Sequence, residues 1–495
     1  MPESRHVAFC ARPDARRGRV LWAPRLAGIV TAIALAGSAC TARNTEIDAQ
    51  GASADEPTSE APAPATARSA SFGEMSSPCG PGDLRVDPSE GGGSQDELRI
   101  GVANDRTAEI RAGLNREIWD TAVSFAAWCN EQGGIGGLPI ELVDLDGKLF
   151  EVEAAIATAC TGTFMLVGGG YVQDNLQFSG KPDSDFHQCH LADIPAFSAS
   201  AQKADSNGQV QPLPRSAARV SANGFAAFRE EFPDVSSMAV LWGQLPTMQE
   251  MEELSVATAE AVGIDVVAEL PYPVTGMLDW TPLAQQVIDT GADSLFWIGE
   301  PTNLGSFIAA LRTQGWEGVV FSETNIYDQV FLDSAGAAAE GTVVRTAFHP
   351  FEESEQWQAV DDYEHLLEEY APGGKVAMLG MQAMSAWLLF ATAADGCGAS
   401  EDGVLRRECV LRAADAVDDW TAGGLHTASD PGPASSTAAS CTMLLVVRGG
   451  RFERLHPALD GDDDDGEGFT CAGSDEMVSV PANEGLGITS PDQPL

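Results

Sequence analysis

Three groups of residues have the types that could do chemistry: a histidine–cysteine cluster, an acidic run and a glycine triplet. His187 and His190 flank Cys189, a composition that suits a metal ion. The competing reading puts Cys189 in a disulfide and leaves both histidines as exposed loop residues, and this is the one expected. The acidic run Asp460–Glu467 suggests calcium. However, Asp465 stands where an EF-hand loop needs glycine and Cys471 stands where it needs glutamate, so a solvated loop is expected. Gly168-Gly169-Gly170 lacks the GxGxxG spacing and the downstream acid of a dinucleotide site. There is no GxSxG, HExxH or GxxxxGK[ST] motif and no visible nucleophile–base pair. The expectation is therefore binding without catalysis, metal or cofactor.

Charge narrows the partners. The 495 residues carry 28 Lys+Arg against 73 Asp+Glu, a net charge of -45. Such a surface repels polyphosphate, so no nucleic acid is expected, and an anionic membrane surface is a poor direct partner. So acidic a body also favours cationic or zwitterionic solutes over anions.

The N-terminus reads as a targeting segment. Arg5, Arg12, Arg16, Arg17, Arg19 and Arg25 precede an 11-residue apolar run, Leu26 to Ala36, too short to cross about 30 Å of hydrocarbon. Gly37-Ser38-Ala39-Cys40 follows. Its cysteine resembles the lipidated residue of a bacterial lipobox, although Gly37 occupies a position where leucine is usual; plain cleavage near Ala39 is the alternative. Residues 1–39 are thus expected to leave as a signal peptide, with Cys40 as the lipid attachment site. The mature chain would then hold 22 basic and 71 acidic residues, or -49. Eight cysteines remain beyond Cys40. An even number outside the cytosol favours disulfides, with 105 possible pairings.

Behind these residues lie the elements that must position them. Residues 40–97, rich in Ala, Ser, Pro, Gly and Glu, read as a disordered tether, with order beginning at Leu98. Short apolar runs then alternate with helical periodicity. Strands are expected at 98–103, 139–146, 164–169 and 194–200, and helices at 118–132, 152–160 and after Asp174. After a break near Pro212–Asn223 the rhythm restarts, with strands at 237–242, 264–272, 293–299, 318–323 and 342–348. Helices then dominate 355–417, and a hairpin at 441–457 turns on Gly449-Gly450. The fold class is α/β, with two doubly wound parallel-sheet lobes. Such sheets bind ligands beyond the carboxyl ends of their strands.

The segments FAAWCNEQGGIGGLPIELVDLDGK (125–148), FMLVGG (164–169), IPAFS (194–198), VIDTGADSLFWIG (287–299), ALRTQGW (310–316), SETNIYDQVFLDSAG (322–336) and AAEGTVV (338–344) carry a resemblance. In order and spacing the chain resembles the type I periplasmic solute-binding proteins, of the branched-chain-amino-acid (Leu/Ile/Val) class that serves ABC transporters. CGASEDGVLRRECVL and WTAGGLH resemble the secreted actinobacterial lipoprotein branch. The resemblance covers Leu98 to Cys471. It implies lobe 1 at 98–222 and 354–416, lobe 2 at 223–353 and 417–472, a multi-strand hinge with the ligand in the inter-lobe cleft, and a loose tail at 473–495.

It also implies a sheet ordered 2-1-3-4-5, from which four disulfides follow: Cys79–Cys129, Cys160–Cys189, Cys397–Cys409 and Cys441–Cys471. The ligand loops it points to in lobe 1 contain Tyr171, Asp174, Asn175, Ser198 and Ser200. In lobe 2, Trp242, Gln244, Glu300, Asn303, Asn325 and Tyr327 lie just past strand ends. Trp242 would stack on an apolar group, and Glu300 or Asp174 would pair with an ammonium. Tyr171-Val172-Gln173 replaces the Ser-Ser/Thr run common in amino-acid binders, which speaks against an ordinary amino-acid ligand. The implied function is capture of a small polar solute by a monomeric lipoprotein on the outer face of the cell membrane, with delivery to an ABC permease. A ligand sensor of the same fold is the alternative.

Overall fold

The computed structural model describes residues 71–90, 92, 94–175, 185–216, 218–400, 403–432, 440–471, 477–481 and 486. All belong to one compact unit, Ala67–Leu495. The signal segment, Cys40 and the first part of the tether lie outside the described residues. So does most of the segment after Asp174 where a helix is expected; a four-residue turn of helix, Asp185–Gln188, follows it.

The first sheet holds β1 (Leu98–Asn104), β2 (Ile140–Asp146), β3 (Met165–Val167) and β4 (Asp193–Ile194). Its order is β2-β1-β3-β4, all parallel. Leu98, Ile100 and Val102 in β1, with every residue of β3, are buried, as a sheet covered on both faces requires. Helix α1 (Arg116–Glu131) buries Ile118, Ala122, Phe125, Ala126 and Cys129 at helical spacing. It stops where Gly133 and Gly134 take φ of +110° and +80°. A Cβ on Gly134 would meet the Leu138 carbonyl oxygen at 2.1 Å, so that tight turn needs glycine. Helix α2 (Val152–Gly162) joins β2 to β3.

The second sheet holds β5 (Ser237–Gly243), β6 (Asp265–Tyr272), β7 (Ser294–Ile298), β8 (Val319–Ser322), β9 (Val343–Thr346), β10 (Cys441–Arg448) and β11 (Arg451–His456). The order is β6-β5-β7-β8-β9-β10-β11. The first five strands are parallel, and the β10–β11 hairpin closes the edge antiparallel. Helices α3 (Pro246–Ala261), α4 (Thr281–Thr290) and α5 (Pro301–Thr313) connect the parallel strands.

The chain passes between the sheets three times, between β4 and β5, after β9, and before β10. The third crossing bridges to the first at Gln211–Gly432 and to the second at Phe348–His426, and folds on itself at Trp420–Ser429. Helices α6 (Gln358–Tyr370), α7 (Met378–Ser400) and α8 (Arg407–Asp415) follow the second crossing. In α7, Met381, Met384, Trp387, Leu388, Phe390 and Ala391 are buried on all sides of the helix, which marks an interior element. Among the described residues no helix is long and apolar enough to cross a membrane.

The structure departs from expectation in four places. First, β4 is two residues long, not seven. Pro195 has no N–H for the ladder, and residues 195–200 leave the sheet as a loop. No fifth strand extends this sheet among the described residues. Second, the chain is already ordered from Ser71 to Glu90, ahead of Leu98. Phe72 is fully buried, Gly73 N donates to Asp362 Oδ2 (2.7 Å), and Arg85–Val86 pairs with Val404–Leu405. Third, past residue 472 the chain is not wholly loose, because Met477–Ser479 pairs antiparallel with Arg219–Ser221. Fourth, His187 is buried against Phe186 rather than exposed. Four disulfides are formed: Cys79–Cys129, Cys160–Cys189, Cys397–Cys409 and Cys441–Cys471.

Candidate functional site

A cavity of about 300 Å³ lies between the two sheets, at the lower end of the roughly 300–1,000 Å³ usual for small-molecule sites. Its walls come from the loops at the carboxyl ends of both sheets. From the first sheet, the loop after β1 supplies Arg111, Leu114 and Asn115, that after β2 Leu149, that after β3 Val172, and that after β4 Phe197 and Ser198. From the second, Met248 follows β5, Val274 follows β6, Glu300 follows β7 and Asn325 follows β8. Two parallel sheets thus present their ligand ends to one space.

Buried carboxylates shape the first-sheet loops. Asp105 receives Leu149 N (2.7 Å) on one oxygen and Val172 N (2.9 Å) on the other, tying two walls together. Leu149 is held at a φ of +74°, a strained conformation for a leucine. Burial raises the Asp105 pKa to about 6, although the two N–H donors pull it down. Asp174 does the same for the next loop, accepting from Ala199 N (2.6 Å) and Ser200 N (2.9 Å), with its pKa also raised by burial.

Several bonds cross from lobe to lobe. Arg111 pairs with Glu300 (3.5 Å) and donates to Thr302 Oγ1 (2.6 Å). Lys375, held beside α1, bridges Glu117 (3.1 Å) and Asp328 (2.6 Å). Burial opposes the Lys375 charge, but these two carboxylates outweigh it and raise its pKa. Thr247 Oγ1 donates to Val172 O (2.9 Å), and Ala201 N donates to Glu250 Oε2 (2.8 Å). These bonds join the two lobes around the cavity.

Of the residues expected at the site, Ser198, Glu300 and Asn325 line the cavity. Glu300 also caps α5 by accepting from Thr302 N (2.8 Å), and Asn325 Nδ2 donates to Gly299 O (2.7 Å). The others stand back from it. Tyr171 is buried and donates to Leu145 O (2.8 Å). Ser200 caps the turn 201–204. Asn175 carries a buried Oδ1 without a partner, outside the cavity walls. Trp242 is half-buried, packs against the core of the second sheet, and is not among the cavity walls. Gln244 is exposed, and Asn303 Nδ2 donates to Val274 O (3.3 Å). Tyr327 lies in the core, donating to Glu352 and accepting from Phe351 N. Asp174 is spent on backbone amides and is not free for an ammonium.

Sequence reasoning missed the whole loop after β1, the methionines of α3, and Arg215, Leu379 and Gln382. The β1 loop follows a strand end like the others and was accessible by that rule. Arg215 sits in a crossing and α7 outside either sheet, so no strand-end argument reaches them. A second cavity of about 260 Å³ adjoins the first at the hinge side; Arg215, Met251, Glu323, Thr324 and Gln382 line both. In the acidic loop, Asp464 accepts from Asp460 N, Gly466 N and Gly468 N, and Asp465 from Glu467 N and Phe469 N. These carboxylates organise their own turn.

The profile of a family described as periplasmic binding protein matches residues 97–451. No curated protein matches the chain in sequence. Among solved structures, the chain is similar to a fatty acid ABC transporter substrate-binding protein from Thermomonospora curvata (TM-score 0.61, 15% identity, covering 78% of this chain and 97% of that one). It is also similar to a leucine binding protein from Thermotoga maritima (TM-score 0.59, 14% identity, 72% and 97%). A third is a putative branched-chain amino acid ABC transporter from Rhodospirillum rubrum (TM-score 0.53, 18% identity, 72% and 100%). At these identities the likeness is one of fold.

Proposed function

The chain belongs to the periplasmic binding protein family, and from that membership we propose that it is an extracytoplasmic receptor that captures a small solute by lobe closure and hands it to an ABC permease. The observation that carries this reading is the cavity enclosed by the carboxyl-end loops of two sheets joined by three crossings. Hinged lobes of this kind close on a ligand because both halves of the site contact it only when closed. No catalytic step is part of the reading. Cys40 is proposed as the lipid anchor that keeps the exported chain at the outer face of the membrane, and the chain is proposed to act as a monomer. The solute proposed from sequence is an amino acid or related polar compound; the name of the Thermomonospora protein sets an acyl carboxylate beside it.

The test is a thermal-shift screen of amino acids, amides, ureas, and aromatic and aliphatic acids, since a bound solute raises the melting point by mass action. A specific solute is expected to do so, and Met248→Trp, which fills the cavity from α3, to abolish the shift. A screen without any shift, or a shift that Met248→Trp leaves intact, overturns the cleft assignment.

A further inference from the structure

The charges lining the cavity are unequally matched. Four carboxylates line it, and each already has a cation. Glu117 and Asp328 share Lys375 (3.1 and 2.6 Å), Glu300 pairs with Arg111 (3.5 Å), and Glu323 accepts from Arg345 Nε (2.9 Å). Three cations line it as well, and one of them, Arg215, has no carboxylate within ion-pair distance among the described residues. Its Nη1 donates to Ser198 O (2.8 Å) and Ala199 O (2.9 Å), which leaves Nε and Nη2 without a described bond. Two backbone carbonyls aim the guanidinium, and Glu323, Asp174 and Glu250 act on its charge only from beyond ion-pair distance.

A second observation points to an acceptor on the solute. Asn115, 7% exposed, lines the same cavity, and its Nδ2 is buried without a partner. An orphaned buried donor is costly unless a ligand satisfies it. The unpaired acceptor in the walls, Gln382 Oε1, is neutral and offsets no ammonium charge. The rest of the lining includes Leu114, Leu149, Phe197, Met248, Ile298 and Leu379, an apolar surface set beside the neutral polar side chains of Ser198, Thr275, Thr324 and Asn325.

Resting on the receptor reading above, we propose that the solute is an amphipathic monocarboxylate without an ammonium group: an apolar aliphatic or aromatic body in the cleft, with its carboxylate on the free edge of Arg215. This reverses the preference for cationic or zwitterionic solutes that the net charge suggests. The net charge lies on the outer surface, whereas the cleft's carboxylates are already paired. An α-amino acid brings an ammonium that would be buried without a counter-charge.

The test is isothermal titration of the exported chain with octanoate, octylamine, 1-octanol and leucine. Octanoate is expected to bind at least about tenfold more tightly than octanol, the gain of a charge-assisted bond over a neutral one. Octylamine and leucine are expected to bind more weakly than octanoate. Because these probes are compared on the wild-type chain, the result does not depend on a variant folding. In Arg215→Gln the octanoate-to-octanol ratio is expected to collapse towards one, and in Arg215→Lys to recover in part. Tighter binding of leucine or octylamine than of octanoate overturns the class and leaves the receptor reading standing. Silence from all four probes also overturns the class, while the receptor reading is then decided by the wider solute screen.

Discussion

His426 shows what burial does to one titrating residue. Trp420 Nε1 donates to Ser385 Oγ (3.0 Å), and Ser385 Oγ lies 2.8 Å from His426 Nε2. His426 Nδ1 faces Thr427 O at 2.7 Å. With its hydroxyl proton given to Nε2, the serine satisfies both neighbours only if His426 is neutral with its proton on Nδ1. Burial lowers the His426 pKa to about 4, against 6.5 in an open chain. Between these values the unfolded state binds more protons, so this group's stabilisation is present above pH 6.5 and is lost as pH falls towards 4. His349, lowered to about 3 chiefly by burial, adds in the same direction. Asp105 acts oppositely: its raised pKa makes stability fall as pH rises from 3.8 to 6. Urea unfolding at pH 4.5 and 6.5 separates them. The stability difference between wild type and His426→Gln is expected to shift by about 2 kcal/mol in favour of wild type at the higher pH; an equal difference at both pH values would refute the assignment. Residue chemistry was the least legible part of the sequence. Tyr171 and Asp174 were picked out beside the right loops, but a side chain's direction decides whether it meets solute or buttresses a wall, and that depends on packing. Arg215 gave no local signal at all.

At the scale of elements the sequence was far more informative, for a physical reason. A strand buried on both faces must be a short apolar run, as in Ser294–Ile298, and a helix against a sheet must repeat at 3.6, as in Arg116–Glu131. Where those signals were absent, the reading failed. The segment 71–90 holds only two fully buried apolar side chains, Phe72 and Val86, set among Gly, Ser and Pro. Its order comes from backbone pairing with Gly134, Gly136 and Gly403, and from the Cys79–Cys129 bridge. Removing that bridge with Cys79→Ser and Cys129→Ser is expected to lower stability by about 2–4 kcal/mol. Hydrogen exchange should then show residues 71–90 losing protection while the strand Leu98–Asn104 keeps it. Unchanged protection in 71–90 would mean that backbone pairing alone holds the segment.

For the whole molecule, the proposed capture depends on the cross-lobe contacts. Arg111 with Glu300 is a partly exposed pair that contributes roughly 0–1 kcal/mol on its own, whereas Lys375 with Asp328 is mostly buried, so desolvation offsets much of its attraction. They are too weak to lock the lobes and strong enough to set their register once a solute fills the space between. In the proposed closure, the three crossings, bridged at Gln211–Gly432 and Phe348–His426, serve as the hinge about which the lobes move as bodies. The most direct measurement of this account is the distance across the cleft mouth, by pulsed electron resonance between spin labels on the exposed Phe150 and Leu278, attached by a chemistry that spares the disulfides. With a saturating solute, one short and narrow distance is predicted; without it, a longer and broader distribution. A distribution that a bound solute leaves unchanged would contradict capture by lobe closure.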